Sequence, residues 1–292
     1  MNASLYGLKF VLSHHLLGRT PPLIRGLVLT NRCNLHCAHC RLDERGPQDL
    51  DFAEVTAAVD GYYQEGGRCL YLEGGEPFLW RDGQHTLEDI VQYARRTGFL
   101  TVVVYTNGTF PIATSASTVF VSVDGLRETH DALRGVSFDR IMKNIQDSPH
   151  QSLFINCTIN RRNRNEMAGF TGHMDGIPNI RGVFFYFHTP YYGYDDLYLE
   201  PDERRAVLEE LLRLRKRHRI LNSRAGLLSA LRNDWKRPVD ACSVYEKGTV
   251  HRCCRFSHDP ELCRQCGYLS YAEIDQTLKM KPSAMLNAFK YF

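Results

Sequence analysis

Cys33-Asn34-Leu35-His36-Cys37-Ala38-His39-Cys40 is the stretch around which this chain is organised. Three and then two residues separate its cysteines, so a short loop can offer the thiolates of Cys33, Cys37 and Cys40 to one face of a metal cluster. Thiolates are the usual ligands of iron–sulfur clusters. Three protein ligands on a four-iron cluster leave one iron open to a small molecule, and an open position marks a reactive metal rather than a structural one. A zinc knuckle drawing on His36 or His39 is the competing reading, although no fourth ligand follows at zinc-finger spacing. The loop is fed by Leu23 to Leu29, an apolar run that reads as a buried strand.

Working outward, the chain alternates strand and helix. Helical spacing of Phe52, Val55, Ala58, Val59 and Tyr62 predicts a helix over Asp51 to Tyr63, stopped by Gly66-Gly67. Cys69 to Leu72 is a strand closing on Glu73-Gly74-Gly75-Glu76-Pro77, and His85 to Thr97 is a helix with Gly98 as its stop. Strands follow at Thr101 to Tyr105, Val119 to Val123, Leu153 to Ile159 and Gly182 to Phe187. Between them the pattern predicts a very short helix within Ile112 to Ser117, one helix over Arg127 to Ile145, and one around Glu166 to Met174. Pro201-Asp202-Glu203 opens a last long helix. Such alternation implies a parallel sheet with right-handed crossovers. Every motif follows a strand, on the face where the loops of a barrel meet. The expected fold is α/β, a partial six-unit (β/α) barrel of the TIM type, followed by a small C-terminal iron–sulfur domain.

Composition narrows the function classes. A formal charge of +3 over 292 residues lacks the concentrated basic face of extended nucleic-acid binding, so no nucleic-acid partner is expected. The ten cysteines cluster as metal sites do, and no signal peptide is visible, so the expected compartment is a reduced cytoplasm. No apolar run is long enough to span a bilayer. At the start, Leu5, Leu8, Phe10, Val11, Leu12, Leu16 and Leu17 predict an amphipathic helix ended by Gly18 and Pro21-Pro22. Packing on the barrel is the plain account of that helix; peripheral contact with the inner membrane face is the alternative.

The cysteine spacing, with His39 where an aromatic residue usually stands, resembles the radical S-adenosylmethionine (radical SAM) superfamily. The resemblance covers roughly residues 23–270 and implies a (β/α)6 core whose 4Fe–4S cluster binds SAM at its open iron. It further implies reductive cleavage of SAM to a 5′-deoxyadenosyl radical, with an external electron donor such as flavodoxin or ferredoxin. Within it, Gly74, Gly75, Glu76 and Pro77 form the segment that holds the amino group of SAM. Ser122 and Asp124, on one face near the end of a strand, suit the ribose hydroxyls. The run Asp124-Gly125, His130-Asp131, Arg134-Gly135 resembles that of members with auxiliary-cluster domains. Asn107 orders the third loop, and for all these side chains a turn or capping role competes with ligand contact. Tyr186 and His188 share one strand register, with Phe185 and Phe187 in the other. Tyr186 and His188 are the candidate catalytic pair, lining a substrate cavity and offering a hydrogen donor. Core packing is the bland account of these aromatics.

Beyond Asn222 the pattern changes. Cys242, Cys253, Cys254, Cys263 and Cys266 fall close together, with Gly248 five residues before Cys253. This resembles the shortened auxiliary domain called twitch, with a first gap shorter than usual, and no further cysteines supply the second cluster of the full SPASM arrangement. Cys242, Cys253, Cys263 and Cys266 would close a second 4Fe–4S cluster, with Cys254 as a substitute for Cys253; structural zinc is the alternative. The division expected is an arm over 1–22, a core over 23–220 and an auxiliary-cluster domain over 221–292. The expected function is hydrogen abstraction from a small-molecule, lipid or peptide substrate, the auxiliary cluster handling electrons. Leu8-Lys9-Phe10, His15 and Gly18-Arg19 also look similar to the start of adenosylhopene synthases. Radical addition to an apolar, hopanoid-like substrate beside a structural zinc is therefore one alternative. A non-catalytic iron–sulfur redox-sensing module is the other.

Overall fold

The computed structural model describes residues 3–18, 20–42, 46, 48–237, 239–254, 256–257 and 259–291. In chain order its elements begin with α1 (Ala3–Leu17), β1 (Ile24–Val28), α2 (Phe52–Gln64) and β2 (Cys69–Glu73). A two-residue hairpin, β3 (Arg81–Asp82) and β4 (His85–Thr86), precedes α3 (Leu87–Thr97), β5 (Thr101–Thr106) and β6 (Thr118–Ser122). Then come α4 (Arg127–Arg134), α5 (Phe138–Asp147), β7 (Leu153–Ile159), α6 (Met167–Asp175), β8 (Ile180–Phe187), α7 (Pro201–Leu214) and α8 (Arg224–Arg232). The C-terminal part holds β9 (Cys242–Glu246), β10 (Thr249–Arg252), α9 (Pro260–Arg264), α10 (Leu269–Leu278) and α11 (Pro282–Tyr291).

Eight strands make one sheet in the order β10-β9-β1-β2-β5-β6-β7-β8. All neighbours from β9 to β8 run parallel, and β10 alone is antiparallel. The core forms where Leu27, Leu70, Leu72, Val102, Val104 and Val119 on the strands meet Val55, Val59, Ile90 and Val91 on the helices. Strands covered by helices read as near-continuous apolar runs, which is why the six core strands were visible in the sequence. β9 hydrogen-bonds along β1 in parallel, with Cys242 opposite Ile24.

Several expectations are corrected. No helix forms within Ile112 to Ser117; Pro111 and the hydrogen bond of Ser117 N to Val102 O, 2.8 Å, keep that link extended. The helix expected over Arg127 to Ile145 is two helices. Gly135 leaves the α region at φ 82°, and Asp131 accepts from the amides of Ser137 and Phe138, both at 2.9 Å, to start α5. At His85 the chain is a short strand, with helix α3 starting behind the Thr86–Asp89 capping box.

The predicted apolar stripe of α1 resolves into two faces. Phe10 and Val11 are buried against Trp235, Ala241, Cys242, Cys253 and Tyr271. Leu5, Leu8, Leu12 and Leu16 lie on another side at spacings of three, four and four, and they are exposed, Leu16 to 75%. Arg19 lies outside the described residues. Among the described residues no helix is long and apolar enough to cross a membrane.

Candidate active site

Backbone contacts fix the cysteine loop after β1. Gly75 N donates to Thr30 O at 2.7 Å and Glu76 N to Arg32 O at 2.8 Å. A Cβ on Gly74 or Gly75 would collide with the backbone of Thr30 or Arg32. The glycine pair is therefore required by close approach of two loops, while its exposed side still lines the cavity. From α4, Leu133 O accepts from Ala38 N at 2.8 Å.

Glu76 sits behind this contact, fully buried. Its carboxylate accepts from Phe78 N at 3.0 Å, Thr106 Oγ1 at 2.8 Å and Asn107 N at 2.7 Å. Burial raises its pKa to about 6 against the lowering effect of these donors. Pro77 is buried in the short turn that follows. Neither residue is on the cavity wall, so sequence reading brought four residues together of which the structure presents Gly74 and Gly75 to the cavity. Asn107 Nδ2 donates to Asn34 Oδ1 at 2.9 Å and lies 3.7 Å from Cys33 Sγ, so the third loop does order the first.

Asp124 is likewise fully buried, whereas Ser122 lines the cavity. Asp124 accepts from Arg134 Nε at 2.6 Å and Thr158 N at 2.7 Å, and its Oδ2 lies 3.6 Å from His39 Nε2. Burial opposes ionisation of Asp124, but the Arg134 guanidinium and then His39 outweigh it and hold the pKa below the usual carboxylate range. Arg134 reaches on to Cys37, 3.8 Å from its Sγ. Burial lowers His39 to about 4, leaving a neutral ring whose Nδ1 has no partner. Burial also pushes Cys33 up, and Cys37 to about 11. Metal binding releases such protons.

One cavity of about 410 Å³ collects both cysteine sets: Cys33, Cys37 and Cys40 with Cys242, Cys253 and Cys254. Cys242 pairs with the first residue of β1, while the first set follows the last residue of that strand. The two sets thus reach the lumen from different strand ends at Cys242 and at the first loop. Tyr71, Tyr105, Tyr186, Tyr268 and Tyr271 wall the space between them. Tyr71 lies where a side chain on Gly26 would be. Burial raises Tyr186 to about 12, so its hydroxyl stays protonated. His188 lines the same cavity, and its Nε2 lies 2.9 Å from Asp195 Oδ2. Asn156 also lines it, with a buried Oδ1 that has no partner in the structure.

At the far end, Lys247 and Gly248, at φ 39° and 75°, form the tight turn joining β9 to β10. Cys253 then adopts φ 65°, its amide donating to Cys242 O at 2.8 Å. Tyr271 OH donates to Cys253 O at 2.6 Å. Cys263 and Cys266 flank the end of α9, Cys266 pushed to about 11 by burial.

Among the described residues no three His, Cys, Asp or Glu side chains converge on a point that would hold a single metal ion. Zinc, with Zn–S near about 2.3 Å, would need its sulfurs within roughly 4 Å of one another. A cubane takes one thiolate on each of several irons, the donor type that both cysteine sets offer. Orphaned polar atoms on His39 and Asn156 in the same cavity fit a polar cofactor beside the first set.

Residues 27–150 match the family model described as Radical SAM superfamily. Over that span the chain is similar to the radical SAM superfamily. A Methanosarcina barkeri protein named Fe-coproporphyrin III synthase is 30% identical over 213 residues, 65% of this chain and 51% of that protein. Pre-heme d1 synthase of Dinoroseobacter shibae is 31% identical over 186 residues, covering 54% and 44% respectively. The crystal structure of Streptococcus suis SuiB bound to S-adenosylmethionine overlays with a TM-score of 0.68 at 14% identity, over 90% of this chain and 68% of that one. That last likeness establishes the partial-barrel fold. The chain spans about half the length of the curated relatives it matches. The superfamily's cofactors are a 4Fe–4S cluster and SAM, and a second cluster is typical of its SPASM-type members.

Sequence reading missed Arg134's hold on Asp124 and Cys37, the Asp195 partner of His188, and Asn156. Arg134 lay inside a quoted motif, and alternate strand positions pointed to Asn156 and Thr158. Asp195 had no signal, because a loop brings it back.

Proposed function

We propose that this chain is a radical SAM enzyme that oxidises a small-molecule substrate held in the lumen between two iron–sulfur sites. One observation carries the reading: two separate cysteine sets line a single tyrosine-walled cavity. Cys33, Cys37 and Cys40 would hold the SAM-binding cluster; Cys242, Cys253, Cys263 and Cys266 would hold the auxiliary one. When bound, cluster and SAM supply an oxidising carbon radical from an electron delivered by a donor of the flavodoxin or ferredoxin type. Gly74, Gly75, Ser122 and Asn156 line the cavity where SAM would lie, and the tyrosines orient substrate and exclude water. Glu76 and Asp124 act from behind the wall, on Asn107 and Arg134. With Nε2 directed to Asp195, His188 keeps Nδ1 as the atom that accepts a substrate proton.

The expected division into an arm, a core and an auxiliary-cluster unit is retained as part of this proposal. Relatives named for heme synthesis support a compact conjugated substrate over a peptide. The exposed leucines of α1 support peripheral docking on a membrane surface. Anaerobically reconstituted protein is expected to contain about eight irons, four per cluster. After dithionite reduction it should release deoxyadenosine slowly from SAM, and Cys40→Ala should stop the release. Fully iron-loaded protein that leaves SAM intact would refute the reading.

A further inference from the structure

The C-terminal cysteine segment is gripped by two arginines. Arg237 Nε donates to Cys263 O at 3.0 Å, while its guanidinium stacks on Trp235, 3.5 Å from the ring centroid. Arg204 donates to Gln265 O at 2.7 Å and to His188 O at 2.8 Å, and it lies over the rings of Phe187 and Tyr198. Each guanidinium therefore binds a carbonyl within or beside Cys263 and Cys266. A carbonyl orients a cation without neutralising it.

Among the described residues, neither arginine has a carboxylate at ion-pair distance. Neighbouring acids are already engaged. Asp259 accepts from the amides of Glu261 and Leu262 at the start of α9, Glu261 pairs with Arg264, and Asp275 pairs with Lys279 at 2.7 Å. Arg204 Nε is buried with no partner at all. Two unneutralised cations beside four thiols call for a compensating negative charge.

We propose that Arg204 and Arg237 are the countercharge of an anionic iron–sulfur cluster on Cys242, Cys253, Cys263 and Cys266, and that they raise its reduction potential so that it serves as an electron sink. The inference rests on the proposed radical SAM function and adds to it the residues that set the charge around the second cluster. Cluster potential follows net charge and surroundings, and positive charge nearby favours the more negative, reduced form. The step balances within the lumen. With a cluster held by these four thiols, a substrate radical would lose one electron to it and one proton to His188 Nδ1, which would leave a two-electron oxidised product. Arg204 and Arg237 are positioning and tuning residues; neither touches the reacting atoms.

The test uses the full chain, reconstituted anaerobically with Cys33, Cys37 and Cys40 replaced by Ala, so that only the C-terminal site gives a signal. Iron and zinc are measured, and the cluster is titrated electrochemically with EPR detection. Arg237→Gln should disfavour reduction about tenfold, a downward midpoint shift of about 59 mV for one electron. Arg237→Lys should restore most of it, because charge and not shape sets the effect. Arg204→Gln should shift the midpoint in the same direction; if that buried change costs the cluster, the Arg237 pair of variants decides. An unmoved midpoint in Arg237→Gln with the cluster intact overturns the proposal, as does zinc in place of iron. SAM cleavage by the cysteine-intact protein reads the core separately. Its absence beside a shifted midpoint would remove the radical function and leave the charge frame standing.

Discussion

Replacing Glu76 by Ala separates a supporting role from a ligand role. The side chain is fully buried and accepts three hydrogen bonds, from Phe78 N, Thr106 Oγ1 and Asn107 N. A buried donor stripped of its acceptor costs about 1–3 kcal/mol. Three such donors, partly rehydrated by water entering the vacated space, place the loss at about 3–6 kcal/mol. In a chain of this size that lowers Tm by roughly 10 °C. Glu76→Gln keeps one acceptor oxygen but turns an amide toward a donor, so its loss should be nearer about 1–3 kcal/mol. Because Asn107 Nδ2 also holds Asn34 and lies 3.7 Å from Cys33 Sγ, iron retention should fall in the same order. The assays are chemical denaturation, iron content and SAM dissociation constant, all anaerobic. If Glu76→Ala stays within about 1 kcal/mol of the unaltered protein while SAM binding weakens about tenfold, worth 1.4 kcal/mol, the carboxylate is a direct ligand and the supporting role is refuted.

Other outcomes follow from the same geometry. Asp124→Asn leaves Arg134 buried without its counter-ion and should cost about 3–5 kcal/mol by urea denaturation. Since the Asp124 pKa is depressed on folding, its contribution is fully present above the ordinary value of 3.8 and is lost as pH falls through the lower folded value. The gap between Asp124→Asn and the unaltered protein should therefore shrink in acid. Gly26→Ala drives a methyl into the Tyr71 ring and should cost about 1–3 kcal/mol while reshaping the lumen, measurable by Tm and a crystal structure of the variant. Leu8→Glu with Leu12→Glu, at exposed positions, should change stability by less than about 0.5 kcal/mol each. The pair should nevertheless abolish co-sedimentation with phosphatidylglycerol vesicles; retained binding would discount α1 as the docking face.

The six core strands and the cysteine loop were legible because the helix-covered face of each strand is apolar and the loop's spacing is local. The link over 112–117 was misjudged because helix pattern in six residues is weaker than one proline and a strand-like hydrogen bond. Exposure was harder to read than periodicity. The leucines of α1 satisfy a helical stripe, yet Phe10 and Val11 on another face make the packing contact. In the site, the acidic residues of the motifs were found but their positions were not. Glu76 and Asp124 carry charge and lie near ligand-binding loops, which suits a ligand role equally well until burial is known. Asp195 and Arg237 act from loops and Arg204 from α7 on residues distant in sequence, and local sequence holds no record of such encounters.

The pairing of β9 with β1 has a consequence for synthesis on the ribosome. β1 emerges well before β9, and its outer edge finds its partner only when Cys242–Glu246 appears, more than two hundred residues later. At about 5–20 residues per second, that edge stays bare for on the order of ten seconds or more. Its exposed amides and carbonyls are then free to join strands of other nascent chains. The same interval leaves the lumen open from the side, so a cluster on Cys33, Cys37 and Cys40, as proposed, would have its easiest access before β9 covers that edge. A chain interrupted before β9 would carry a complete cysteine loop and a sheet that is still adhesive.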